Sequence, residues 1–457
     1  MVHPERWVNL EISVVMSTFR DLIKIVAVAP LLLVLTSVIS GAEEAALMTA
    51  TADRPTFTRD IQSILQVKCQ GCHRPGQIAP MSLLTYEETR PWASAIRKEV
   101  SSKRMPPFHA TGPIGHWKDD LRLPETAIET IVRWVDQGAV RGNPADLPAP
   151  RDWPESEWPY GEPDFVVDFP VHRIPSTSRD VNINLYSDYA FPEDTWLNTV
   201  HFTSRYQDTV HHAHIYMIPP DYEIPEKNKS RERTAEVMVF QSIFTWFPGL
   251  TVEPLPDGQG IHVPKGSRFA LVAHFAPRTD VLKEKLRLGV YRSNGMINRE
   301  RLGAGGLIRD IQLPPHEANY TLRRRDVFPE DGWITHFWAH MHYRGKSVEF
   351  RLHYADGRSE TVFDMPQYSF DWQRYYYLSE PLRVLEGTEL ETIATWDNSD
   401  ANALNPDPTQ AVRWGSRTTD EMFGGGVRYT PIAEMAEPFV VKDGVRVAKG
   451  SAESSVK

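Results

Sequence analysis

The sequence predicts a multidomain chain: a small all-α domain followed by two all-β sandwich domains of jelly-roll type. Three observations carry this. Apolar residues recur at helical spacing on both sides of the pair Cys69 and Cys72, and prolines crowd residues 141–164. From residue 165 to 440, short runs alternate apolar and polar side chains between turn clusters. A length of 457 residues exceeds what one core supports. The net charge of -10 argues against a nucleic-acid partner. Sixteen histidines stand against two cysteines, so no cysteine is left for a disulfide framework once that pair is used.

At the N-terminus, Arg20 and Lys24 precede an apolar run from Ile25 to Ile39 and then Ser40-Gly41-Ala42, a small-X-small pattern. Residues 1–42 therefore read as a secretory signal, with Met16 an alternative start, and the mature chain as periplasmic or secreted. An uncleaved membrane anchor is the less favoured reading, because about fifteen apolar residues including Pro30 are short for a span.

Residues 54–140 form the first domain. Phe57, Ile61, Ile64 and Leu65 lead into the motif at helical spacing. Ile128, Ile131, Val132, Trp134 and Val135 mark an amphipathic helix over Glu125 to Gly138. Between them lies Cys69-Gln-Gly-Cys72-His73. Cys-X-X-Cys-His is the attachment signature of covalent haem c, in which two thioethers fix the macrocycle and the adjacent histidine meets the iron. An export signal and the lack of a second cysteine pair favour haem over a redox dithiol or a zinc site. The region resembles a small class I cytochrome c domain. Met105, stiffened by Pro106 and Pro107, is the favoured sixth ligand. His109 and His116 are alternatives, and Met81 is too near His73 in sequence to reach round the ring. Such ligation suits electron transfer. Residues 141–164, with six prolines, read as a semi-rigid linker.

Strand patterns then follow in Phe165–Phe169, Val181–Leu185, Phe269–Ala273, Val348–Leu352 and Leu390–Thr395. Two β units fit this length, 165–312 and 313–440, with a seam near Leu313-Pro-Pro-His316 and a tail over 441–457. Histidines fall on both sides of the seam: His211, His212 and His214, then His274, then His340 and His342. On a strand His340 and His342 share a face and can converge on one ion. Each histidine also has a plain reading as a hydrogen-bonded core residue.

Over roughly residues 165–435 the chain resembles the copper type II ascorbate-dependent monooxygenases, which include the peptidylglycine α-hydroxylating and dopamine β-hydroxylating enzymes. The resemblance rests on ordered motifs: Val210-His-His, Pro248-Gly, Pro256-Asp-Gly, Leu271-Val-Ala-His-Phe, Ala339-His-Met-His-Tyr-Arg-Gly-Lys, Trp396-Asp-Asn-Ser, Asn405-Pro-Asp-Pro, and Val412-Arg-Trp-Gly through Asp420-Glu-Met. It implies two copper ions, one per β unit, facing each other across a solvent-filled cleft. His211, His212 and His274 would hold the electron-transfer ion. His340, His342 and Met422 would be the catalytic ligands of the oxygen-activating ion, the soft thioether favouring Cu(I). Adjacent His211 and His212 would need a bulge to point the same way, with His214 as the alternative ligand.

Peptide-amidating relatives carry an arginine where this chain has Trp338, and polar substrate contacts where it has Phe423 and Gly424-Gly-Gly. A peptide-glycine substrate is therefore not expected, and the substitutions point to an apolar or aromatic one. The expectation is a haem- and copper-dependent monooxygenase. It would hydroxylate a C–H bond of a small organic substrate with O2, drawing electrons from a periplasmic redox carrier or an ascorbate-like reductant. The alternatives are an electron-transfer or copper-binding protein without hydroxylase activity, and a cytochrome on a surface- or sugar-binding sandwich.

Overall fold

The computed structural model describes residues 54–153, 156–176, 181–224, 240–246, 254–276, 279–415 and 417–447, without the side chains of residues 182, 211 and 241. The predicted signal and the Pro248-Gly motif lie outside these residues. No helix among the described residues is long and apolar enough to cross a membrane. The described chain is mostly β-sheet with a few helices, all but one short 3-10 turn (Gln207–Thr209) at its N-terminal end.

The helical part forms where the apolar spacing predicts it. A π-helical turn, Phe57–Ile61, runs into Gln62–Lys68, and further helices cover Tyr86–Thr89, Ala93–Ser101 and Glu125–Asp136. Their apolar faces close on one core containing Phe57, Ile61, Ile64, Leu65, Ile128, Ile131 and Trp134. The last helix stops because Gly138 takes a φ of 92°, which lets the Ala139 amide return to Trp134 O at 2.8 Å.

One stretch departs from the predicted domain. Phe108, Ala110 and Trp117 leave the helical core and are buried in the core of the second β unit. Thr111 N donates to Asp364 O at 2.8 Å, Lys118 N to Tyr377 O at 2.8 Å, and Ser379 N to His116 O at 3.0 Å. Burial of Trp117 outweighs chain order here. The linker is likewise held at both ends: Gln66 Nε2 donates to Ala149 O at 2.8 Å, and Trp158 is buried against the β-sheet at Gly289.

In the first β unit a five-stranded sheet has the order Phe165–Asp168, Arg287–Arg292, Thr195–Thr203, Gln259–Val263, Arg299–Glu300. It packs on a four-stranded sheet ordered Val181–Tyr186, Arg268–Phe275, Val210–Ile218, Gln241–Trp246. In the second unit one sheet has the order Leu302–Ile308, Phe423–Pro431, Gly332–Met341, Tyr376–Val384. The other runs Tyr320–Val327, Glu389–Trp396, Gly345–His353, Ser359–Met365. The strand Leu302–Ile308 thus already belongs to the second unit, ahead of the seam predicted near residue 313. The end of the predicted second unit and the start of the predicted tail return to the first unit: Phe439–Lys442 pairs with Gly295–Ile297, and Trp196 N donates to Gly444 O at 2.7 Å.

Candidate metal centre

Alternation along three strands decides where the histidines point. On Gly332–Met341, Phe337, Ala339 and Met341 enter the core of the second unit, so His336, Trp338 and His340 occupy the opposite face. On Val210–Ile218, Ala213 and Ile215 enter the first core, which leaves His212 and His214 on the other side. On Arg268–Phe275, Leu271, Ala273 and Phe275 do the same and leave His274. These two non-core faces meet. The rings form a chain, with centroids 4.8 Å apart for His274 and His212, 4.9 Å for His212 and His214, 6.0 Å for His214 and His340, and 5.1 Å for His340 and His342. All five are buried.

Where the resemblance implies two sites across an open cleft, the structure shows one buried run of imidazoles. His214 is the residue that joins its halves. The strand register shifts between Val210 and His212, as expected of a bulge at His211, whose side chain lies outside the described residues. His342 falls one residue past its strand, at the turn where Gly345 N donates to His342 O at 3.0 Å.

Hydrogen bonding assigns the proton in three of the rings. Gln373 Nε2 donates to Phe370 O at 2.7 Å, which directs Gln373 Oε1 at His340 Nδ1; an amide oxygen only accepts, so Nδ1 carries the proton. His342 Nδ1 likewise donates to Asp420 O at 3.2 Å. His214 Nδ1 lies 3.0 Å from Thr245 Oγ1, whose own proton goes to Tyr375 Oη at 3.1 Å. Each Nε2 is left with its lone pair. The Nε2 atoms of His214 and His340 are buried and, among the described residues, have no hydrogen-bond partner. Burial keeps the rings neutral: it pushes His214 down to about 3, helped by His340 and His274, and His340 down to about 4, while His342 falls well below the ordinary range.

Met422 is fully buried, at the residue that follows Met341–Phe423 and His340–Gly424 in the strand register, beside His342. Glu421 holds the two together. Its carboxylate accepts from His342 N at 3.1 Å, Arg344 N at 2.7 Å, Met422 N at 3.3 Å and Trp396 Nε1 at 3.0 Å. Burial raises its pKa to about 7. Among the described residues, no three His, Cys, Asp or Glu side chains are arranged as they stand to hold a metal ion.

At the other candidate site, Cys69, Cys72 and His73 follow the helix Gln62–Lys68 in a continuing turn, His73 N donating to Cys69 O at 2.9 Å. His73 Nδ1 faces Met81 O at 3.3 Å, which again leaves Nε2 available. Burial raises the Cys69 thiol to about 12. Met105 is half-buried, just after the helix Ala93–Ser101, where the chain turns away towards the second β unit. His109 and His116 lie on that departing stretch. The two candidate sites meet at adjacent residues: Gln373 binds His340, while the Arg374 charge acts on the Cys72 thiol and its guanidinium lies 4.9 Å from the Phe108 ring.

Sequence patterns give no signal for Thr245 or Gln373, and the Asp420-Glu-Met motif marks Glu421 without showing what its carboxylate holds. Each comes from a separate segment, and only the packed faces reveal its role.

A cavity of about 860 Å³ opens along the same interface, lined by Tyr216 and Phe240 of the first unit and by Trp338, Gly424, Gly425 and several arginines of the second.

No family model and no curated protein matches the chain. Among solved structures, infectious bursal disease virus, Gx strain, is similar at 8% identity over 59% of this chain and 72% of that chain, with a TM-score of 0.17. A two-domain protein of unknown function from Bacteroides fragilis is similar at 9% identity over 57% and 94%, with a TM-score of 0.16. Likenesses this remote carry no argument about fold or function.

Proposed function

We propose that the chain is an exported copper- and haem-dependent monooxygenase that hydroxylates a C–H bond of a small organic substrate. The observation that carries the reading is the buried run of histidines, in which His214, His340 and His342 are kept neutral by burial and have Nδ1 bonded to an oxygen, leaving Nε2 for a metal, the pattern found around metal-bound imidazole. The donor types suit copper, imidazole nitrogen serving both of its oxidation states and thioether sulfur favouring Cu(I). His340, His342 and Met422 would hold one copper ion, and His212 and His274, with His211 or His214, the other. Cys69 and Cys72 would carry haem by thioether bonds, and His73 and Met105 would be the ligands of its iron.

Bound together, these groups supply one-electron transfer and O2 activation, so that one oxygen atom enters a C–H bond and the other leaves as water, with two electrons and two protons from outside. The protein's own part is positional. Gln373, Asp420 and Thr245 fix the ring orientations, Glu421 aligns the His342 and Met422 peptides, and the packed faces exclude water. The ordered motifs shared with copper type II monooxygenases support the same reading.

Metal analysis of the exported protein should find two coppers and one haem iron per chain. With a reduced donor, oxygen uptake should depend on added substrate, and Met422→Ala should abolish it without altering the haem spectrum. Bound copper with no substrate-dependent uptake across a library of small acids, aromatics and terpenoids would favour the carrier reading, and full activity without copper would sink both.

A further inference from the structure

The cavity beside Trp338 has a charge pattern that the metal reading does not use. Five arginines line it. Arg323 is paired with Glu391 at 3.3 Å, Arg324 with Asp326, and Arg309 lies at the exposed rim, its guanidinium 5.4 Å from the Trp414 ring. Arg301 and Arg428 differ. Both are partly buried, and among the described residues neither has a carboxylate partner. Arg301 Nη2 donates to Ile243 O at 2.7 Å and Arg428 Nη2 to Ser242 O at 3.2 Å, so both reach across to the first unit. Arg428 also lies 5.9 Å from the centre of the Trp338 ring. The strand Leu302–Ile308 is shaped around it: a Cβ at Gly303 would come within 2.3 Å of Arg428 Nη1.

Two guanidinium groups held near each other and away from water repel, and backbone carbonyls satisfy only part of their donors. Burial, with Arg428 adding to it, pushes Arg301 down to about 10. A planar anion would relieve the repulsion and fill the remaining donors in bidentate fashion. Besides Ser242 and the exposed Asp310, which follows Arg309 at the rim, the other walls are apolar and include Trp338, Tyr216, Phe240, Leu302 and Leu307. Along the strand, Trp338 stands two residues from His340, a rise of about 7 Å.

We infer that this cavity binds an organic carboxylate with an aromatic or aliphatic body, its carboxylate on Arg301 and Arg428 and its apolar end towards Trp338. That the bound acid is the substrate rests on the monooxygenase reading; the binding does not.

The test is calorimetric titration of the full exported chain with 4-phenylbutyrate, its neutral amide and inorganic sulfate, followed by oxygen uptake with the same compounds. The acid should bind, and the amide about 10- to 100-fold more weakly, the range for lost charge-assisted hydrogen bonds. Arg428→Gln should weaken the acid by a similar factor and leave the amide unchanged, while Arg428→Lys should recover part of the loss. Equal binding of acid and amide to the wild-type chain would overturn the proposal, as would unaltered acid binding in Arg428→Gln or sulfate binding without acid binding. Acid binding with no oxygen uptake would overturn the substrate role and leave the site standing.

Discussion

The Cys69–His73 motif and the histidine run make an instructive pair. In the first, every residue proposed to hold haem covalently lies within five positions, and one helical turn places them. In the second, His212, His274 and His340 sit on three strands, each histidine more than sixty residues from the next along the chain, and nothing short of two folded units brings them together. A local motif tolerates damage to the rest of the chain. An assembled one inherits every weakness of the scaffold, and its proton inventory depends on distant residues such as Gln373 and Thr245.

That contrast can be broken or sharpened. The largest effect belongs to the motif: Cys72→Ala should eliminate stable double thioether attachment of haem, read by pyridine haemochrome absorbance, while near-ultraviolet circular dichroism of the β units stays unchanged. Coupled loss of both signals would mean the motif is not local after all. Next comes the clamp behind the assembled site. Glu421→Ala strands four buried N–H donors and should lower stability by about 3–5 kcal/mol in urea denaturation, with loss of the copper assigned to His340, His342 and Met422.

A third test uses His201, a buried histidine outside the run, near the rings of Trp158 and Tyr160 at 6.3 Å each. Burial pushes it down to about 4. The folded state therefore keeps it neutral while the unfolded chain takes up a proton below about 6.5. Its contribution is intact above that value and is lost as pH falls towards 4, by about 3 kcal/mol. Chemical denaturation from pH 7 to 4 should show this slope reduced in His201→Gln. The smallest effect is at the surface of the helical unit, where Arg97 meets Asp136 at 2.8 Å with both side chains well exposed. Arg97→Ala should change stability by less than about 1 kcal/mol in calorimetry.

The alternation of Phe165–Phe169 and Val348–Leu352 and the helical spacing before Cys69 were legible in the chain because each element buries one face, and the periodicity records which. The same alternation placed His340 on the side away from the core, and His342 follows it at the turn where the strand ends. What it could not record was the partner of that side. The departure of Phe108 and Trp117 into the second unit, the early crossing at Leu302, and the return of Phe439–Lys442 to the first unit all follow from apolar side chains finding a core far away in sequence.

By itself, then, the sequence determined the mixed architecture, the Cys-X-X-Cys-His turn and the histidine-bearing faces, since these depend on local spacing. Only the tertiary structure decided that the two faces close on each other, that His214 joins the run, that Glu421 aligns Met422 with His342, and that Arg301 and Arg428 share a cavity beside Trp338. These depend on which surfaces are driven together when two cores form, and burial area, not sequence distance, settles that.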